Sequence, residues 1–139
     1  VELGRRISSF SREQQRAITS PKDIELLLMD EMRFLEKEYL KAVLLNTKNE
    51  VISIEDISIG SLNSSIVHPR EVFKPAIRRS SASIILAHNH PSGDPTPSSE
   101  DIKVTLRLVK AGNILGIDVL DHVIFGNGII VSLKEKGVI

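Results

Sequence analysis

The chain is 139 residues long, enough for one domain around a single moderate core. Its 18 basic and 18 acidic residues cancel to a formal net charge of zero, so it lacks the basic excess expected of a nucleic-acid binder. Without cysteine it can form neither a disulfide nor a thiolate zinc site, and no apolar run approaches the roughly 18–20 residues needed to span a bilayer. The absence of cysteine fits a reducing, cytoplasmic setting. The opening "VELGRR" has neither an initiator Met nor a signal-peptide pattern. The chain is therefore expected to be a piece of a longer protein, with 1–19 a remnant of a preceding segment and 20–139 the domain.

Residues 1–19 are polar and weakly periodic, with room for one helix and a tail. A helix is predicted to start at Ser20, with Pro21 in its first position and Asp23 at capping-box spacing. Ile24, Leu27, Leu28 and Leu35 recur along its buried face. Two strands, 38–46 and 50–60, are joined by the turn "TKN", and "SSIVH" (64–68) is read as extending the pattern. A short helix follows over 68–80, with Pro69 near its start. The continuous apolar run 82–88 marks a strand covered on both faces. An amphipathic helix over 98–112 is expected to stop at Gly112, and 117–126 and 129–133 form a hairpin through "NG". The order α-β-β-α-β-α-β-β describes a mixed α/β domain with helices packed on one sheet.

The chemistry concentrates in "AHNHPSGDPTPSSED" (87–101). His88 and His90 are two residues apart on an extended chain, so both imidazoles project to one side. Pro91 keeps His90 extended. The proline-stiffened turn, reversed at Gly93, leads to a helix that carries Asp101 in its first turn. Two imidazoles and a carboxylate suit zinc (Zn2+) and leave a fourth position open. Ser98-x-x-Asp101 also has the spacing of a helix cap, a role that can coexist with ligation. In HNH nucleases the named residues are spread over a ββα unit, so the consecutive letters here are no nuclease signature.

"HNHPSGDPTPSSED" resembles the JAMM motif (H-x-H-P, a gap, then S-x-x-D) of MPN-type metalloproteases. Together with the preceding "HPREVFKPAIRRSSASIILA" and with "GIDVLDHVIFG", it is similar to the MPN domain of the RadC family. The resemblance runs from about residue 20 to near the end. The helix-hairpin-helix segment that usually precedes this domain is missing, apart from a remnant at "VELGRR". The resemblance implies the MPN (JAB/cytidine-deaminase-like) architecture, with a mixed sheet flanked by helices. It also implies a zinc-dependent hydrolase that cleaves an amide, peptide or isopeptide bond in a protein or peptide substrate.

By the same resemblance His88, His90 and Asp101 are the metal ligands and Ser98 stabilises the oxyanion. Glu38, at the start of an early strand, matches the proton acceptor, with Glu36 and Glu71 as competitors. Asn89 departs from the Ser or Thr that JAMM proteases commonly carry. His68 and His122 are read as structural or surface residues. Three rivals stand beside the hydrolase: a RadC-type DNA-repair accessory module, which the neutral charge supports little, a non-catalytic metal-binding module, and a ferrous-iron site. An exposed edge strand would allow a homo-oligomer; no membrane partner is expected.

Overall fold

The computed structural model describes residues 17–63 and 65–139. The helix expected within 1–19 lies outside them except for 17–19. There, Ala17 bridges Glu50 and the Ile18 N–H donates to the Asn49 carbonyl. Eight elements follow in chain order: α1 (Pro21–Met32), β1 (Tyr39–Leu45), β2 (Val51–Ile59), α2 (Pro69–Arg78), β3 (Ser83–Asn89), α3 (Ser99–Leu115), β4 (Asp118–Phe125) and β5 (Ile130–Ser132). Their order is the predicted one, and the domain is a mixed α/β fold.

Helix α1 begins as its sequence demands. The Asp23 carboxylate accepts from the Thr19 N–H at 2.8 Å and the Ser20 N–H at 3.2 Å, satisfying donors that a helix start would leave open. The helix ends at Met32, which is buried with Ile24 and Leu28; Leu35 lies past the end and only packs against that cluster. The strands β1 and β2 form the expected hairpin, turned by Asn49 at φ +61°. The described residues of 64–68 form a turn and the approach to α2, not a strand, with Val67 buried.

The five strands lie in the order β2-β1-β3-β4-β5. Only β3 and β4 are parallel, joined by α3 as the crossover. Strand β3 occupies the centre and every one of its residues is buried, which is why Ile84, Ile85, Leu86 and Ala87 follow one another as an apolar run between Ser83 and His88. Its two faces feed two cores. Ile84 and Leu86 join Phe73 of α2 and Val104 and Leu108 of α3 on one side, while Ile85 and Ala87 meet Ile24, Leu28 and Met32 of α1 on the other. By the same alternation His88 follows Leu86 toward the α2 and α3 side.

The end of α3 corrects the sequence reading. The helix does not stop at Gly112 but continues to Leu115, and Gly116 caps it in the left-handed region at φ +74°. Gly112 has a different task. A Cβ there would lie 2.4 Å from the Ile117 carbonyl oxygen and 3.2 Å from Phe73 Cζ, so glycine lets the chain entering β4 pass against the helix. Gly112→Ala should therefore destabilise the domain by about 1–3 kcal/mol, the usual range for overpacking. Urea unfolding checks this, and an unchanged midpoint would contradict the close approach.

Candidate metal centre

Three elements converge at the C-terminal end of β3. His88 lies on that strand at 1% exposure, His90 follows it directly, and Asp101 occupies the first turn of α3 at 2% exposure. The intervening turn uses Gly93 at φ +92°, with its N–H donating to the His90 carbonyl at 2.9 Å. The two imidazoles stand edge to face with ring centroids 4.9 Å apart.

Asp101 faces both rings. Its Oδ2 is 3.1 Å from His90 Nε2 and its Oδ1 is 3.5 Å from His88 Nδ1. Donors bonded at about 2.0–2.1 Å to one tetrahedral zinc stand about 3.3 Å apart, and each histidine-to-Asp101 separation, taken through a different carboxylate oxygen, is of that order. Helix α3 starts with the capping box expected from the sequence. Ser98 Oγ accepts from the Asp101 N–H at 3.0 Å, and Asp101 Oδ2 accepts from the Ser98 N–H at 2.8 Å. Ser98 thus keeps its hydroxyl proton available for another acceptor.

The two imidazoles differ in their hydrogen bonding. His90 Nδ1 faces the Asp94 carbonyl oxygen at 2.8 Å, and that oxygen can only accept. Nε2 faces a carboxylate, so the ring carries protons on both nitrogens in this geometry. Removing the Nε2 proton leaves a lone pair aimed at the Asp101 side, with Nδ1–H still held by the backbone, as ligating histidines commonly are. His88 is starker, because both its nitrogens are buried and neither has a hydrogen-bond partner among the described residues. Such orphaned polar atoms are costly unless something fills the gap.

Glu38 completes the group from the other side of the sheet order, immediately before β1. Its Oε1 lies 3.9 Å from His88 Nε2, and Glu38, His88 and His90 present ligand atoms within 4.8 Å of one another. Among the described residues these three form the cluster that could hold a metal ion; Asp101 is not part of it, because Asp101 faces Nδ1 of His88 while Glu38 faces Nε2. Glu36 and Glu71 are exposed, and Glu71 pairs with Arg70 at 3.6 Å.

Glu38 is held by contacts that sequence spacing does not reveal. Its Oε2 accepts from the Leu62 N–H at 3.2 Å and its carbonyl from the Gly60 N–H at 2.8 Å. Asn89 brackets it: Oδ1 accepts from the Tyr39 N–H at 2.7 Å and Nδ2 donates to the Lys37 carbonyl at 2.9 Å. The side chain that departs from the JAMM pattern therefore secures the segment carrying Glu38. Its buried position between two histidines was the available signal. His68 is the N-cap residue of α2, without a side-chain capping bond.

Protonation states follow from burial and pairing. Burial pushes the His88 pKa down to about 4, against the pull of Asp101, so this imidazole is neutral at pH 7. The hydrogen bond to Asp101 raises His90 above its ordinary value. Burial works to raise the Asp101 carboxyl, but the bonds from His90 and the Ser98 N–H and the nearby imidazoles outweigh it and hold it at about 2. Ionised Asp101 and neutral His88 are the forms that bind a metal.

A mixed α/β domain with a histidine and carboxylate cluster at the end of its central strand defines the class, a JAMM-like metal-binding fold. Comparison with known proteins narrows it. The model of the RadC-like JAB domain matches residues 18–138. The chain is 67% identical over 137 residues to a UPF0758 protein of Caldanaerobacter subterraneus subsp. tengcongensis, covering 99% of this chain and 59% of that one. It is 66% identical over 136 residues to a UPF0758 protein of Alkaliphilus metalliredigens, covering 98% and 59%. With one from Moorella thermoacetica it shares 60% over 139 residues, covering 100% and 60%. The chain belongs to the RadC-like JAB domain family and spans about 60% of the length of these relatives. Among the described residues no helix is long and apolar enough to cross a membrane.

His122 supplies a pH test. Burial pushes its pKa from 6.5 down to about 3. The unfolded chain therefore binds this proton first, so His122 favours the fold above about pH 6.5. That contribution fades as pH falls, by about 1.4 kcal/mol per pH unit until the folded pKa is reached. In chelator-treated protein, lowering pH from 7 to 5 should cost the wild type about 2 kcal/mol more than His122→Asn, measured by urea unfolding. Equal losses would show that His122 does not resist protonation.

Proposed function

We propose that this domain is a zinc-dependent hydrolase of the JAMM type that cleaves an amide, peptide or isopeptide bond in a protein or peptide substrate. The observation that carries the reading is His88, a buried imidazole whose two nitrogens have no hydrogen-bond partner among the described residues, beside an ionised carboxylate. His88, His90 and Asp101 would hold the ion. All three come from nitrogen and oxygen chemistry that zinc accepts, and the chain has no thiolate to compete. When bound, zinc lowers the pKa of water toward about 7 and polarises a carbonyl oxygen.

The chain's own residues supply the remaining roles. Glu38, 3.9 Å from His88 and anchored by the Leu62 N–H, is the general base that takes a proton from the attacking water and returns it to the leaving amine. Ser98 donates its free hydroxyl proton to the oxyanion, a contribution of about 3 kcal/mol for one well-aimed donor. Asn89 keeps Glu38 in register by holding the backbone on both sides of it. The Ser and Glu partners favour hydrolysis over the oxygen chemistry that two histidines and a carboxylate can also support with ferrous iron.

Metal analysis by mass spectrometry tests the centre. The purified chain is expected to carry about one zinc per molecule, and His88→Ala and Asp101→Ala to lose it. Wild type that takes up no zinc from solution would overturn the reading. Glu38→Gln should keep the metal and lose at least about 100-fold in turnover on any peptide or isopeptide the wild type cleaves. Full turnover in that variant would remove Glu38 from its role.

A further inference from the structure

Thr105 and His122, outside the proposed ligand set, connect the helix that carries Asp101 to the sheet that carries the histidines. Thr105 lies one turn after Asp101 on α3, and both Thr105 and His122 are fully buried. His122 pairs with Leu86 across the parallel β3–β4 ladder and shares the sheet face of His88. The two imidazole centroids are 5.7 Å apart. Thr105 Oγ1 sits 2.6 Å from the Asp101 carbonyl oxygen and 2.6 Å from His122 Nδ1.

These two contacts fix the direction of the chain. A carbonyl oxygen only accepts, so the single hydroxyl proton of Thr105 goes to Asp101. Thr105 Oγ1 must then accept from His122, which assigns the proton to Nδ1. The result is a continuous path, His122 Nδ1–H to Thr105 Oγ1–H to Asp101 C=O, running from β4 into the first turn of α3. Nε2 of His122 is buried with no hydrogen-bond partner among the described residues.

The capping box and this path do different work. Ser98 holds the Asp101 carboxylate relative to its own helix, since both bonds lie within four residues. It does not hold that helix relative to β3. The Thr105–His122 path crosses from helix to sheet, on the strand hydrogen-bonded to the one that presents His88. A polar tie in an otherwise apolar layer is geometrically demanding in a way that apolar contacts are not.

We propose that Thr105 and His122 are positioning residues of the metal centre: they set where the Asp101 carboxylate stands relative to His88 and His90, and with it the affinity for a divalent transition metal. This rests on the metal-centre reading above. Partners that orient ligands typically change metal affinity by about 10- to 100-fold when removed.

The test measures zinc affinity by competition with a chromophoric chelator and records the visible spectrum of the cobalt(II)-loaded chain. Thr105→Val and His122→Phe remove the path; Thr105→Ser and His122→Asn retain its donors. Leu28→Ala, in the core on the opposite face of the sheet, serves as a control for lost stability. The expected result is about a 10- to 100-fold weaker zinc affinity and a changed cobalt spectrum in the first two. Thr105→Ser, His122→Asn and Leu28→Ala should keep the wild-type spectrum and affinity. Either path-breaking variant suffices if the other fails to fold. If neither folds, loss of affinity in Thr105→Ser or His122→Asn overturns the inference and retention supports it. Wild-type affinity in a folded Thr105→Val or His122→Phe, or an equal loss in Leu28→Ala, overturns it while leaving the metal centre intact. A wild type that binds neither zinc nor cobalt fails at the earlier step, and the inference falls with the centre.

Discussion

Burying an imidazole with neither nitrogen hydrogen-bonded is unfavourable, and among the described residues the centre of this domain is organised around one. His88 lies next to the end of the central strand at 1% exposure, close to Asp101 at the start of α3. The apolar run before it explains how it comes to be there. Ile84 and Leu86 bury their side of β3 against α2 and α3, and the alternation of the strand carries His88 to the same side. The same burial keeps it neutral, so the lone pair a metal needs is available rather than protonated.

Around that residue, each contributing element is fixed by backbone chemistry as much as by side-chain packing. Asp101 is held by the capping box that begins its helix. His90 is oriented by the Asp94 carbonyl across a turn that Gly93 makes possible. Glu38 is clasped by the Gly60–Leu62 turn and by Asn89. The ligand-like groups therefore sit on short, supported stretches at element ends, the arrangement that holds a reactive constellation in place.

The balance of charge gives a further constraint. Zero net charge offers a polyanion no net long-range attraction. Local charge is uneven where it matters: one carboxylate is pinned in its ionised form and shared between two imidazoles, one neutral and one made more basic.

Much of this was determined by the sequence itself. The spacing of His88 and His90, the proline after them and the Ser98-x-x-Asp101 start of a helix are local features. Extended alternation and helix capping act over two to four residues, so they survive without knowledge of the fold. The order of the eight elements was legible for the same reason. Tertiary structure decided what depends on distant partners. Glu38 joins the histidines because Asn89, far along the chain, holds the backbone on either side of it, at Tyr39 and Lys37. Gly112 is a packing glycine rather than a helix stop because Ile117 turns back against it. His122 looks like one polar residue among apolar neighbours until Thr105, 17 residues earlier, is found against its ring. Periodicity records which face a residue occupies, but only the folded chain determines what it meets there.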